Sequence, residues 1–170
     1  DLVIDEEDSI PQGSFSAEMN TQGIINIAVI QLPRISNFTD LSPLAYDPSI
    51  SIRYVHHPSQ MGNPDLIILP GSKNTIGDMQ ILNQQSLTQE IIKCHKAGSM
   101  ILGICGGFQM LGKIIKDPEN LESPNKEVEG LGLFDFETTL VAEKLTRQIQ
   151  LKTVKSHIFS EGIQCEGYEI

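Results

Sequence analysis

Apolar residues along this chain come in short dense runs separated by polar stretches rich in glycine and proline. Residues 24–32 (Ile-Ile-Asn-Ile-Ala-Val-Ile-Gln-Leu) are almost continuously apolar and stop at Pro33. Such a run predicts a central parallel strand buried on both faces. Residues 51–55 and 65–69 repeat the pattern, the latter closed by Pro70-Gly71, and residues 99–104 predict a further strand. Between these runs, Thr39-Asp40-Leu41-Ser42-Pro43-Leu44 has a cap-like start and a proline near its first turn, which predicts a short helix. Leu87, Ile91, Ile92 and His95 lie at helical spacing, so residues 86–97 are expected to form an amphipathic helix ending near Gly98. Phe108, Leu111 and Ile115 mark the buried face of another. Residues 116–130 read as a polar loop with two prolines, and residues 138–141, 149–151 and 167–170 as short strands. Residues 1–23 have no clear periodicity and read as a linker or the tail of a preceding domain.

Strands alternating with helices predict an α/β fold, with a mostly parallel sheet flanked by helices and functional loops at the carboxyl ends of the strands. Pro70-Gly71-Ser72 and Cys105 both lie at such ends, so their loops can face each other. The length suits one domain with a full core. No apolar run approaches the roughly 20 residues of a membrane span. The acidic start, Asp1-Leu2-Val3-Ile4-Asp5-Glu6-Glu7-Asp8, is unlike the basic start of a secretory signal. The three cysteines, Cys94, Cys105 and Cys165, are odd in number and lack metal-ligand spacing. These features predict reduced thiols in a cytoplasmic protein. A formal charge of −10 argues against nucleic-acid and anionic-membrane partners. The start without Met and the stop at Ile170, inside a strand-like segment, lead us to expect a piece of a longer polypeptide.

The chemistry concentrates in Gly103-Ile104-Cys105-Gly106-Gly107-Phe108-Gln109-Met110-Leu111-Gly112. An apolar strand runs into a glycine-flanked turn carrying a cysteine, then a helix. This is a nucleophile elbow with cysteine in place of serine. Residues without a Cβ relieve the crowding around a strained turn, and a helix N-terminus favours a thiolate. Acyl chemistry also needs an oxyanion hole and a proton shuttle. The N–H of Gly106 is the natural first oxyanion donor, and Gly71 or Ser72 is placed for the second. Gln109 is a candidate to line the substrate pocket, with helix packing or solvent exposure as alternatives. The shuttle is not evident. His95 reads as a packed histidine, His56 and His57 as loop residues, and His157 stands alone in the C-terminal part. Cys94 and Cys165 lack an elbow and read as ordinary thiols. Lys73 and Lys144 read as solvated charge.

The elbow together with Leu69-Pro70-Gly71-Ser72-Lys73-Asn74-Thr75 resembles the class I glutamine amidotransferase domain of the cobyric and cobyrinic acid amidating enzymes. Leu32-Pro33-Arg34-Ile35-Ser36-Asn37-Phe38-Thr39-Asp40, Glu7-Asp8-Ser9, Asp117-Pro118, Gly130-Leu131-Gly132-Leu133, Glu143-Lys144-Leu145-Thr146 and Gly167-Tyr168-Glu169-Ile170 narrow the resemblance to the cobyric acid synthases. The resemblance implies a flavodoxin-like fold, with residues 24–170 forming the amidotransferase domain, incomplete at its C-terminus. It implies that Cys105 attacks the side-chain amide of glutamine, releasing ammonia and leaving a glutamyl thioester for water to hydrolyse. In this family no cofactor binds the glutaminase domain. ATP and magnesium belong to a preceding synthetase domain, which amidates carboxylates of a corrinoid, adenosylcobyrinic acid a,c-diamide, to give adenosylcobyric acid in cobalamin biosynthesis. The family's catalytic histidine belongs to a Gly-Thr-Tyr-x-His-Gly-like motif downstream of the Gly-Tyr-Glu-Ile segment. His157 does not match it, so this stretch of chain is expected to lack its base and to turn over glutamine poorly. Three readings compete with a working glutaminase: another cysteine hydrolase of the same architecture, a non-catalytic glutamine-binding module regulating a synthetase partner, and an elbow that is mere turn punctuation around a buried thiol.

Overall fold

The computed structural model describes residues 24–143, 146–154 and 160–169. The chain divides into two compact units, residues 1–140 and 141–170. In the first, strands β1 (Ile25–Ile30), β3 (Ile50–Val55), β4 (Leu66–Leu69) and β6 (Met100–Gly103) form a four-stranded sheet in the order β3-β1-β4-β6. Every pairing in it is parallel, with Val29 beside Tyr54 and Ile68, and Ile68 beside Leu102. The strands fall where the apolar runs predict them. β1 stops short of Leu32, although the N–H of Gln31 still donates to the carbonyl of Val55 at 2.8 Å.

Alternate residues of β1 and β4 feed opposite faces of the sheet. Ala28, Ile30, Ile67 and Leu69 join Ile76, Met79, Leu82, Leu87 and Ile91 in the larger core. Ile27, Val29, Ile52 and Ile68 join Leu41 on the other face, where Leu44 of the short α1 (Ser42–Ala45) packs against them. This two-sided burial explains why the central strands lack polar alternation. β6 lies at the sheet edge and exposes Met100 and Leu102.

The larger core is covered by α2 (Thr75–Gln84) and α3 (Leu87–Lys96). α3 matches its predicted span and ends ahead of Gly98, whose φ of +116° closes the helix as glycine permits. Its buried face is Leu87, Thr88, Ile91 and Cys94; His95 is exposed rather than packed, with Nδ1 2.9 Å from the carbonyl of Ser99. Sequence periodicity missed α2. Its buried side includes Thr75 and Asp78 beside Ile76, Met79 and Leu82, and those polar residues break the apolar stripe.

The helix predicted after the elbow, α4 (Gly106–Met110), lasts only five residues. Gly112 packs flat on Phe136, where a Cβ would sit 2.6 Å from the ring, and the chain turns there into β7 (Ile114–Lys116). Ile115 is therefore buried from a strand, Leu111 is buried just beyond the helix, and Phe108 is half exposed. β7 pairs antiparallel with β8 (Glu127–Glu129), which lies inside the expected loop, and parallel with β9 (Glu137–Thr139). A two-residue antiparallel bridge joins β2 (Ile35–Ser36) to β5 (Gly71–Ser72). In the second unit, β10 (Arg147–Lys152) and β11 (Gln164–Glu169) form an antiparallel pair closed by an Arg147–Glu169 ion pair at 2.6 Å. His157, Lys144 and the expected linker 1–23 lie outside the described residues.

Ile68 is fully buried at the centre of the sheet. Ile68→Ala is expected to lower the unfolding free energy by about 2–5 kcal/mol, read as a fall in the urea midpoint.

Candidate active site

The ladder between β4 and β6 continues one step beyond Gly103, where the N–H of Ile104 donates to the carbonyl of Leu69 at 2.9 Å. The next residue, Cys105, turns the chain sharply with φ 50° and ψ −114°. Few non-glycine residues adopt such a conformation, which costs on the order of 1–3 kcal/mol and persists only when its surroundings enforce it. Here the enforcement is visible. The N–H of Gly107 donates back to Ile104 at 2.8 Å, and that of Gln109 to Cys105 at 3.1 Å. A Cβ on Gly107 would overlap the Leu69 carbonyl, and one on Gly103 would sit 2.7 Å from the Gly107 oxygen. α4 can therefore lie on the strand ends only because both positions are glycine. The Cys105 thiol is free and exposed.

The loop after β4 comes up against this turn. A Cβ on Gly71 would stand 3.8 Å from that of Cys105 and 2.5 Å from Ser36 Oγ. A Cβ on Gly106 would stand 3.1 Å from the Ser72 nitrogen and 2.9 Å from Thr75 Oγ1. The structure thus gathers Cys105, Gly106, Gly71 and Ser72 into one place. As the first residue of α4, Gly106 has an N–H without a partner inside its helix. Gln109 is half-buried beside them and accepts a hydrogen bond from Thr75 Oγ1 at 3.2 Å.

The described histidines are elsewhere. His56 and His57 follow β3, three strand positions from β6, or about 14 Å at ~4.8 Å per strand. His57 Nδ1 accepts from the Ser59 N–H and caps a turn at Pro58–Gln60. His95 lies before β6, whereas Cys105 lies beyond its far end. Cys94 is buried, its Sγ 3.8 Å from the Gly62 carbonyl, and burial pushes its thiol pKa up. Cys165 is exposed on β11.

Two buried acids, to neither of which the sequence assigned a role, support the site. Asp78 of α2 is fully buried. Its carboxylate accepts from the Arg34 guanidinium at 3.0 Å, the Arg34 N–H at 3.2 Å and Ser72 Oγ at 2.7 Å. Asp117 is fully buried too and accepts the N–H groups of Leu121, Glu122 and Ser123 at 2.7, 2.9 and 3.1 Å. The folded loop presents Glu122 to the start of α2, where its carboxylate accepts the Thr75 N–H at 2.7 Å. Nothing local in the sequence marked Asp78: its partner Arg34, with a side chain about half exposed, lies 44 positions away. Beside the elbow, Phe108, Phe134 and Phe136 cluster, with the Phe108 and Phe136 centroids 5.0 Å apart. Among the described residues, no group of three or more His, Cys, Asp or Glu side chains could hold a metal ion, and no helix is long and apolar enough to cross a membrane.

Residues 26–170 match the model of the CobB/CobQ-like glutamine amidotransferase domain. The chain belongs to the CobB/CobQ-like glutamine amidotransferase family. Among its relatives is a cobyric acid synthase of Thermoanaerobacter sp. (strain X514), 47% identical over 175 residues and covering 100% of this chain. The cobyric acid synthase of Limosilactobacillus reuteri (strain DSM 20016) is 48% identical over 169 residues, covering 99% of this chain. The amidotransferase chain spans about a third of these relatives, 34% and 32% of their lengths. The structure of PurLQS from Thermotoga maritima superimposes with a TM-score of 0.56, covering 85% of this chain and 65% of that one. At 17% identity this likeness is one of fold.

The Asp117 loop carries a pH prediction. Burial pushes the Asp117 carboxyl up, but the three N–H bonds together outweigh it and hold its pKa below the ordinary aspartate value. The folded pKa thus lies below the unfolded value of about 3.9, so the contribution is complete above that pH and is lost as pH falls through the folded pKa. Asp117→Asn should lower the urea midpoint at neutral pH and flatten its acid limb below about pH 4. An acid limb as steep as in the wild type would contradict the assignment.

Proposed function

We propose that this chain is the glutaminase part of a cobyric acid synthase, with residues 24–170 as its amidotransferase domain and Cys105 as nucleophile. The observation that carries this reading is the strained backbone of Cys105, φ 50°, set against the glycine edge at Gly71 and Ser72. In the proposed reaction the Cys105 thiolate attacks the side-chain carbonyl carbon of glutamine and a C–S bond forms. The resulting oxyanion is held by the N–H of Gly106 and by the backbone at Gly71 or Ser72. A preorganised donor of this kind is worth about 100- to 1000-fold in rate. The C–N bond then breaks as a proton reaches the nitrogen, and ammonia leaves. Water hydrolyses the thioester to glutamate and returns the thiol. Gln109 lines the substrate pocket. We assign the proton shuttle to a residue outside those described, because His56 and His57 follow β3, three strands from β6, and His95 lies on α3 ahead of β6.

The relatives' name and their greater length support the rest of the proposal. The ammonia would serve an ATP- and magnesium-dependent synthetase portion of the same polypeptide. That portion would amidate carboxylates of adenosylcobyrinic acid a,c-diamide to give adenosylcobyric acid in cobalamin biosynthesis. Three cysteines without a described disulfide suit a cytoplasmic setting.

The test is labelling by the diazoketone analogue of glutamine, read by mass spectrometry on the polypeptide at its natural length. One modification at Cys105, suppressed by excess glutamine and absent from Cys105→Ala, is the expected result, with ammonia release from glutamine lost in the same variant. A folded protein that binds glutamine but takes no label would point instead to a non-catalytic glutamine-binding module.

A further inference from the structure

Arg34 belongs to one of the segments that carry the family resemblance, yet it has no part in the chemistry proposed for Cys105. The structure gives it a partner. The guanidinium and the backbone N–H of Arg34 both donate to Asp78, and the same carboxylate accepts the hydroxyl of Ser72. Ser72 Oγ in turn accepts the N–H of Asn74 at 3.0 Å, and the Lys73 N–H donates to the Arg34 carbonyl at 2.8 Å. One fully buried carboxylate therefore ties together the chain entering β2 and the last residue of β5. Those two strands are joined by a bridge only two residues long, too short to hold β5 by its own ladder. The backbone of Ser72 is also the part of β5 that abuts Gly106.

We infer that Asp78 is a positioning residue for the oxyanion loop: through Ser72 and Arg34 it sets where the Gly71-Ser72 backbone stands relative to Cys105. This inference rests on the glutaminase reading. Asp78 never touches the substrate in this scheme. It holds Ser72 by the side chain so that the main chain is already in place when charge develops on the substrate oxygen.

Two electrophiles separate positioning from general damage. The diazoketone analogue of glutamine carries a ketone oxygen where the amide oxygen would lie, whereas iodoacetamide alkylates a thiol without using an oxyanion loop. Both rates are measured at the Cys105 peptide in the polypeptide of natural length, for wild type, Asp78→Asn, Ser72→Ala and the double variant. Displacement of the loop by about 1 Å should slow diazoketone labelling by about 100-fold in Asp78→Asn, with the iodoacetamide rate within about twofold of wild type. Ser72→Ala should follow in the same direction, and it carries the test if Asp78→Asn does not fold. Because Asp78 acts in part through Ser72, the double variant should lose less than the product of the two single losses. Equal slowing of both electrophiles, unchanged diazoketone labelling, or fully multiplicative losses would overturn the inference while leaving the glutaminase reading intact. A folded wild type without glutamine-protected labelling would overturn both.

Discussion

The arrangement at the site depends on how closely α4 approaches the carboxyl ends of β4 and β6. Gly107 lies so near the Leu69 carbonyl that no Cβ fits between them, and Gly103 meets the backbone of the same helical turn. A methyl group at either position would have to lift α4 from the sheet. With α4 raised, the bonds from Gly107 to Ile104 and from Gln109 to Cys105 would lose the geometry that holds Cys105 in its unfavoured conformation. The strain at Cys105 is thus maintained by backbone packing on both sides of the residue. The result is a thiol standing clear of the core on a rigid base.

Around that base the loops are held by buried charge. Asp78 and Asp117 are both fully removed from solvent, and each is surrounded by donors. Among the described residues, no buried side-chain nitrogen or oxygen lacks a hydrogen-bond partner. A buried carboxylate left without its donors is costly, so a loop supplying those donors is confined to the few conformations that keep them. Asp117 confines its loop in this way, and Glu122 from that loop caps α2. α2 carries Asp78, which holds Ser72. The stability of the loop at residues 117–125 and the shape of the nucleophile's surroundings are therefore connected through one helix.

Legibility in the sequence followed how locally each element is determined. The central strands were readable because burial on both faces demands uninterrupted apolar residues, which the runs at β1, β4 and β6 provide. α3 was readable because one of its faces is solvated. α2 was not, since Asp78 and Thr75 sit on its buried side with partners on distant loops. The helix after the elbow is shorter than its apolar spacing suggests, because Ile115 continues a spacing that a strand uses equally well.

By itself the sequence determined the α/β class, the order of the central strands' apolar runs and the elbow around Cys105. Each is encoded in neighbouring residues: apolar density for the strands, glycines flanking a cysteine for the turn. Only the tertiary structure decided how the surroundings of that cysteine are held in place. Ser72 and Gly106 are 34 positions apart, and Arg34 and Asp78 are 44 apart. The facing of the two loops could be expected from their places at strand ends, whereas the Arg34–Asp78–Ser72 linkage follows from a buried charge seeking its donors, which no local pattern records.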